Sequence, residues 1–221
     1  MANILNIETS GKTASICLTI DGQVVAVKKN EDRQRHAAWL HDAIAQMMKE
    51  QEKSLNELTA IAVSMGPGSY TGLRLGMATA KGLCFALSKP LICIPTLEIM
   101  AIAAQKDLKG DFYCPMIDAR RMEVFAAVYD NNLSEVSPPG AIILQEGCLN
   151  EWLEKGSLVL SGDGAEKAAA IHHHPNLLIS KIEMDAAAMV QPAMKKCEKQ
   201  EWSDLAYSEP YYLKEFYSPA K

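Results

Sequence analysis

The sequence has no C-x-x-C pair, although it carries 6 cysteines. Cys17, Cys84, Cys93, Cys114, Cys148 and Cys197 are widely spaced and mostly sit in apolar runs, which reads as reduced, buried thiols rather than a disulfide framework or a zinc ribbon. No stretch approaches the roughly 20 apolar residues of a membrane helix. The first residues lack a basic region followed by an apolar core, so a cytoplasmic protein with no membrane contact is expected. H-E-x-x-H, the helix of common zinc peptidases, is missing, as is the G-x-S-x-G turn that presents a serine nucleophile. Positive charge is also short: Lys and Arg number 22 against 27 Asp and Glu, a formal net charge of -5. A chain without a basic field does not hold a polyanion by itself, which disfavours autonomous nucleic-acid binding.

What is present is an ordinary globular composition, 48% hydrophobic and 22% charged over 221 residues, enough for one large domain or two modest lobes. "NILNIETS" and "TASICLTI" are β-branched runs around a polar turn, and Asp21-Gly22 leads into "QVVAVKK", a three-stranded antiparallel start. Residues Arg33 to Gln51 repeat apolar side chains at helical spacing, among them Leu40, Ile44 and Met47. "LTAIAVSM" reads as a buried parallel strand, followed by a glycine turn and a second helix, the strand "PLICIP" and a third helix from Thr96. Then "FYCPMIDARRMEVFAAVYDN" repeats the opening: an apolar run ending in an acid (Asp118, as Glu8 earlier), a short turn and a second run. The boundary between the two halves is placed at residues 108/109, where charges and Gly110 interrupt ordered segments. Beyond it the pattern loosens, with a strand "SLVLSGDG", a helix from Ala165, and Pro192 as a break or kink in the last helix.

"VSMGPGSYTGLRLGMATAKGLCFAL" has the parts of a phosphate cradle but not the spacing. Gly66, Gly68 and Gly72 miss the dinucleotide fingerprint by one residue, and no acid closes a matching unit about 20 residues on. Gly11-Lys12-Thr13 ends like a Walker A motif, yet Asn6 stands where its first glycine must be. The helix is more informative. Gly72, Gly76 and Ala80 recur every fourth residue beside an apolar face that includes Leu73 and Met77. Glycine inside a helix costs roughly 1 kcal/mol against alanine, so something must approach that face closely. Two readings stay open: the helix packs on its own sheet, or it docks a partner.

"NIETS" with its hairpin, "GPGSYTGLRLGMATAKGL", "MIDARRMEVFAAVYD" and the terminal "SEPYYLKEF" together resemble the TsaB (YeaZ) family, from Asn3 to Phe216. The resemblance implies a two-lobed actin-like (ribonuclease H-like) α/β fold. It also implies a non-catalytic partner of a TsaD-like subunit that threonylcarbamoylates adenosine 37 of tRNA. A TsaE-like ATPase is expected to join, tRNA to be met only through the complex, and the chain to be a homodimer when alone. In the catalytic relative a metal is held by two histidines four apart; here Thr96 and Met100 occupy those places around Glu98, so no metal is expected. Glu8, Thr9 and Ser10 match the relative's first phosphate turn and form a degenerate cofactor-binding candidate. In the second turn Asp118-Ala119-Arg120-Arg121 replaces a serine, two glycines and a histidine. No catalytic residue and no resident cofactor are expected, with weak or interfacial ATP or ADP binding left open. The partner interface is assigned to Leu40, Ile44 and Met47 of the first helix and to Gly72, Leu73, Gly76, Met77 and Ala80 of the second. The competing class is an active enzyme of the same fold, an ATPase or phosphotransferase or a metal-dependent glycoprotease-like peptidase.

The histidines add little at this level. His36 and His41 are about 140° apart around a helix, so they cannot share an ion and are read as solvated or partner-facing. His172-His173-His174 before Pro175 is a local cluster in a loop, with a role left open.

Overall fold

The repeated acid-ended run of the sequence becomes a repeated sheet. In a computed structural model, which describes residues 2–32 and 35–214, the chain opens with β1 (Asn3–Glu8), β2 (Ala14–Ile20) and β3 (Gln23–Asn30). The three pair antiparallel. Asp21 and Gly22 both take positive φ, 48° and 77°, the geometry of a tight hairpin turn matched to strand twist. β4 (Ala60–Ser64) and β5 (Leu91–Ile94) then add in parallel, giving the order β3-β2-β1-β4-β5. Every residue of β4 and β5 is buried, as expected of parallel strands covered on both faces.

The second sheet repeats this plan. β6 (Phe112–Asp118), β7 (Glu123–Asp130) and β8 (Glu135–Ile143) are antiparallel, and β9 (Leu158–Ser161) and β10 (Leu177–Ile179) add in parallel beyond β6. Counted from the far edge, the order is again third, second, first, fourth, fifth strand. β8 was not legible as a strand because Pro138, Pro139 and Gly140 lie inside it. An edge position tolerates prolines, since the outer N–H has no ladder partner to lose.

Among the described residues six α-helices accompany the sheets: α1 (His36–Glu50), α2 (Tyr70–Leu87), α3 (Thr96–Asp107), α4 (Asn150–Leu153), α5 (Ala165–Ala169) and α6 (Val190–Glu198). The expected start of the first helix, Arg33, lies outside the described residues. Pro192, expected as a break or kink in the last helix, follows the point where a 3-10 turn (Ala186–Met189) passes into α6. It is the third residue of α6, in the first turn, where its missing N–H has no intrahelical acceptor to lose. One apolar core joins Leu5, Ile7, Ile16 and Leu18 of the first sheet to Leu40, Ile44 and Met47 of α1 and Met77, Ala80 and Cys84 of α2. A second joins β6, β7 and β9 to Leu149, Leu153, Ala165 and Ala168.

The chain is two-lobed, but the boundary at 108/109 does not describe how the lobes divide it. One compact unit comprises residues 2–103 and 183–210, and the other residues 104–182 with 211–214. Residues 183–210 return to the first unit through specific bonds. The Ala186 N–H donates to Ser15 Oγ at 2.9 Å, Lys196 Nζ donates to the Cys93 carbonyl at 3.0 Å, and the Ser203 N–H donates to the Leu91 carbonyl at 2.8 Å.

Candidate functional site

β1 ends in Glu8, whose side chain is fully buried, and the chain turns through Thr9 and Ser10, which are buried as well. The turn closes on itself. Glu8 Oε1 accepts from both the Ser10 N–H and the Ser10 hydroxyl, each at 2.5 Å, and Thr9 N lies 3.5 Å from Ser64 Oγ. These backbone donors, which a phosphate would need, are thus met by the chain's own oxygens. Glu8 Oε2 has no hydrogen-bond partner. Burial pushes the Glu8 carboxyl above its ordinary value, against the lowering effect of the two Ser10 hydrogen bonds.

The start of α2 lies directly on this turn. Thr9 Oγ1 donates to the Gly72 carbonyl at 2.8 Å, the Ser69 N–H donates to the Ser10 carbonyl at 2.7 Å, and Ser69 Oγ caps the helix by accepting from the Gly72 N–H at 3.3 Å. A Cβ on Gly68 would overlap Ser10, one on Gly72 would overlap the Thr9 carbonyl oxygen, and one on Gly76 would overlap Thr9 Oγ1. The small face of α2 therefore admits this chain's own β1 turn, the close approach that its glycine spacing called for.

That result corrects the residues assigned to a partner interface. Leu40, Ile44, Met47, Gly72, Leu73, Gly76, Met77 and Ala80 are all buried within the single chain. The apolar periodicity that singled them out marks the side facing the sheet, as amphipathic spacing ordinarily does. The outward stripes carry other residues. On α1 these are Ala38, His41 and Ala45; on α2 they are Thr71, Ala78, Gly82 and Phe85, the last 82% exposed. A Cβ on Gly82 would meet nothing within 4 Å. His36, read as solvated or partner-facing, is buried.

Thr96 and Met100, the two positions from which no metal was expected, are interior side chains. Thr96 Oγ1 accepts from the Gly66 N–H at 3.1 Å, and the Thr96 N–H donates to the Gly66 carbonyl at 2.9 Å, so the pair joins the glycine turn to the start of α3. Met100 is buried. Among the described residues no three His, Cys, Asp or Glu side chains come together as ion ligands.

The second turn, Asp118 to Arg121, is held by charge. Lys167 of α5 donates to Asp118 Oδ1 and to the Arg121 carbonyl, both at 2.6 Å. Asp118 Oδ1 also accepts from the Arg120 N–H at 2.6 Å, and the Asp118 N–H donates to Asp163 Oδ1 at 2.8 Å. The Lys167 hydrogen bond, reinforced by the Arg120 N–H, holds the Asp118 carboxyl below its usual range. Arg120 and Arg121 both adopt left-handed backbone, φ 69° and 51°, at a cost of order 1 kcal/mol each for residues with a Cβ. The Ser161–Gly164 loop is an ordinary strand-to-helix turn, and a Cβ on Gly164 would overlap Val124 and press on Met116.

Comparison with known proteins places this geometry among its relatives. A family model described as TsaD, tRNA N6-adenosine threonylcarbamoyltransferase, matches residues 23–143. The chain is 32% identical over 153 residues to the tRNA threonylcarbamoyladenosine biosynthesis protein TsaB of Bacillus subtilis; the match covers 68% of this chain and 64%, just under two thirds, of that protein. Against the protein of the same name from Buchnera aphidicola the figures are 32% over 158 residues, covering 70% of each. Against that of Escherichia coli they are 26% over 218 residues, covering 96% and 94%. Among solved structures, YeaZ from Pseudomonas aeruginosa superposes with a TM-score of 0.86 at 23% identity, over 96% of this chain and 100% of that one, a likeness of fold.

Proposed function

The chain belongs to the TsaB (YeaZ) family, and we propose from that premise that it serves tRNA threonylcarbamoyladenosine biosynthesis as a partner without catalytic chemistry of its own. It binds a TsaD-like threonylcarbamoyltransferase, with a TsaE-like ATPase as a third member and tRNA reached through the assembly, and it pairs with itself when alone. The observation that carries this reading is the closed first turn. Glu8 caps Ser10, Thr9 and Ser10 are buried under α2, and the corresponding donors of the second turn are engaged by Asp118 and Asp163. A subunit that must grip ATP leaves such donors open. The acidic balance of the chain supports leaving tRNA to the other members.

Docking uses the outward stripes of α1 and α2 rather than their inner faces. Phe85 offers a large apolar side chain beside the open Gly82, and an ordinary stable interface there buries about 1,600 Å2 in total. Light scattering of the protein with its cognate TsaD-like subunit tests this. Wild type forms a defined complex, and Phe85→Asp, which alters an exposed position and leaves the fold intact, loses it. Undiminished pairing by the variant places the interface elsewhere. The competing enzyme reading predicts micromolar ATP binding by calorimetry, and that result would overturn a non-catalytic role.

A further inference from the structure

Cysteine chemistry in the second unit is independent of the docking question. Of the six thiols, Cys17, Cys84, Cys93 and Cys114 are buried, and only Cys148 and Cys197 are half-buried. Burial pushes Cys84 and Cys114 up to about 12, with a neighbouring thiol adding to it in each case, and it raises Cys197, which also has Glu198 beside it. A thiol held protonated is a poor nucleophile. Cys148 differs in its partner. His172, 5% exposed, places Nε2 3.6 Å from Cys148 Sγ and Nδ1 2.9 Å from the Ala168 carbonyl oxygen. A carbonyl only accepts, so Nδ1 carries the proton of the neutral ring, and the lone pair of Nε2 is turned toward the thiol. A nucleophile, a base within reach of its proton and a third group that fixes the base's tautomer are the three parts of an activated cysteine.

We infer that Cys148 and His172 form a thiol–imidazole pair that makes Cys148 the peroxide-reactive residue of this chain. His172 Nε2 takes the thiol proton as the sulfur attacks one oxygen of a hydroperoxide. The S–O bond forms and the O–O bond breaks. The departing alkoxide or hydroxide takes the proton from His172 and leaves as alcohol or water, and Cys148 becomes a sulfenic acid. The sulfur is oxidised by two electrons and the peroxide is reduced by two, with no further reactant. The histidine run before Pro175, which had no evident use in the sequence, thereby contributes its first member as a base, while His174 Nδ1 accepts from the Asn176 N–H at 3.2 Å and belongs to the loop itself.

The test treats the full chain with limiting hydrogen peroxide in the presence of dimedone and follows each cysteine peptide by mass spectrometry. Cys148 is expected to be trapped first, roughly tenfold or more faster than the comparably exposed Cys197, and His172→Gln is expected to remove that advantage. Equal rates at Cys148 and Cys197 in wild type overturn the proposal, and so does a folded His172→Gln variant that reacts at the wild-type rate. Should the variant lose its fold by circular dichroism, the wild-type comparison of the two cysteines decides alone.

Discussion

The two acid-ended strands, β1 and β6, begin sheets of the same order and direction, yet their turns are secured by opposite physics. The first turn is buried: Glu8, Thr9 and Ser10 lie beneath an 18-residue helix whose glycines let two backbones meet. The second is exposed: Asp118 and Arg120 face solvent and are fixed by Lys167 from a helix of only five residues. One site relies on close packing, where a single methylene matters, and the other on charge and hydrogen bonds, where water shares the work. A duplicated plan therefore does not imply duplicated sensitivity, and substitutions at the two turns separate the contributions.

The largest effect is expected at Gly72. Gly72→Ala drives a Cβ into the Thr9 carbonyl oxygen, a backbone atom that cannot step aside, and should cost roughly 3 kcal/mol or more in urea unfolding. Thr9→Val keeps the shape but leaves the Gly72 carbonyl without its donor, at about 1.5 kcal/mol. On the outward side of the same helix the sign reverses. Gly82→Ala meets empty space and gains helix propensity, so it should stabilise by up to about 1 kcal/mol. If Gly72→Ala proves as harmless as Gly82→Ala, the close approach of turn and helix is wrong.

The effects of pH at the two turns run in opposite directions as well. Burial raises Glu8, so its contribution is fully present below the ordinary value of 4.5 and is lost as pH rises through the higher folded value; Glu8→Gln should gain on wild type across that rise. Lys167 lowers Asp118, so its contribution is present above 3.8 and is lost as pH falls; Asp118→Asn should cost under about 1 kcal/mol at neutral pH and nothing in strong acid. Matching slopes for the two variants would erase the distinction between a packed and a charged turn.

Much of the architecture was legible because it is written locally. β-branched runs, Asp21-Gly22 and the repeat of an acid at Glu8 and Asp118 gave the doubled antiparallel start, and the glycine spacing of α2 announced a close approach. What approached was not legible. Thr9 and Gly72 are 63 positions apart, and no local pattern names a contact at that separation. The same holds for residues 183–210, which return to the first unit through Ala186 and Ser15, 171 positions apart. Leu40, Ile44 and Met47 were visible as a stripe, but periodicity reports that a face is apolar without saying whether a sheet or a partner covers it.

The sequence by itself determined the antiparallel start of each sheet, the positions of the turns and the family, since these follow from alternation, turn chemistry and motifs carried in short segments. Only the tertiary structure decided that the glycines of α2 serve the β1 turn, that Glu8 closes that turn, that Phe85 is left outside and that His172 faces Cys148. Each of these depends on which distant segments share a surface, and burial, steric exclusion and hydrogen-bond completion act on that shared surface rather than on the chain's order.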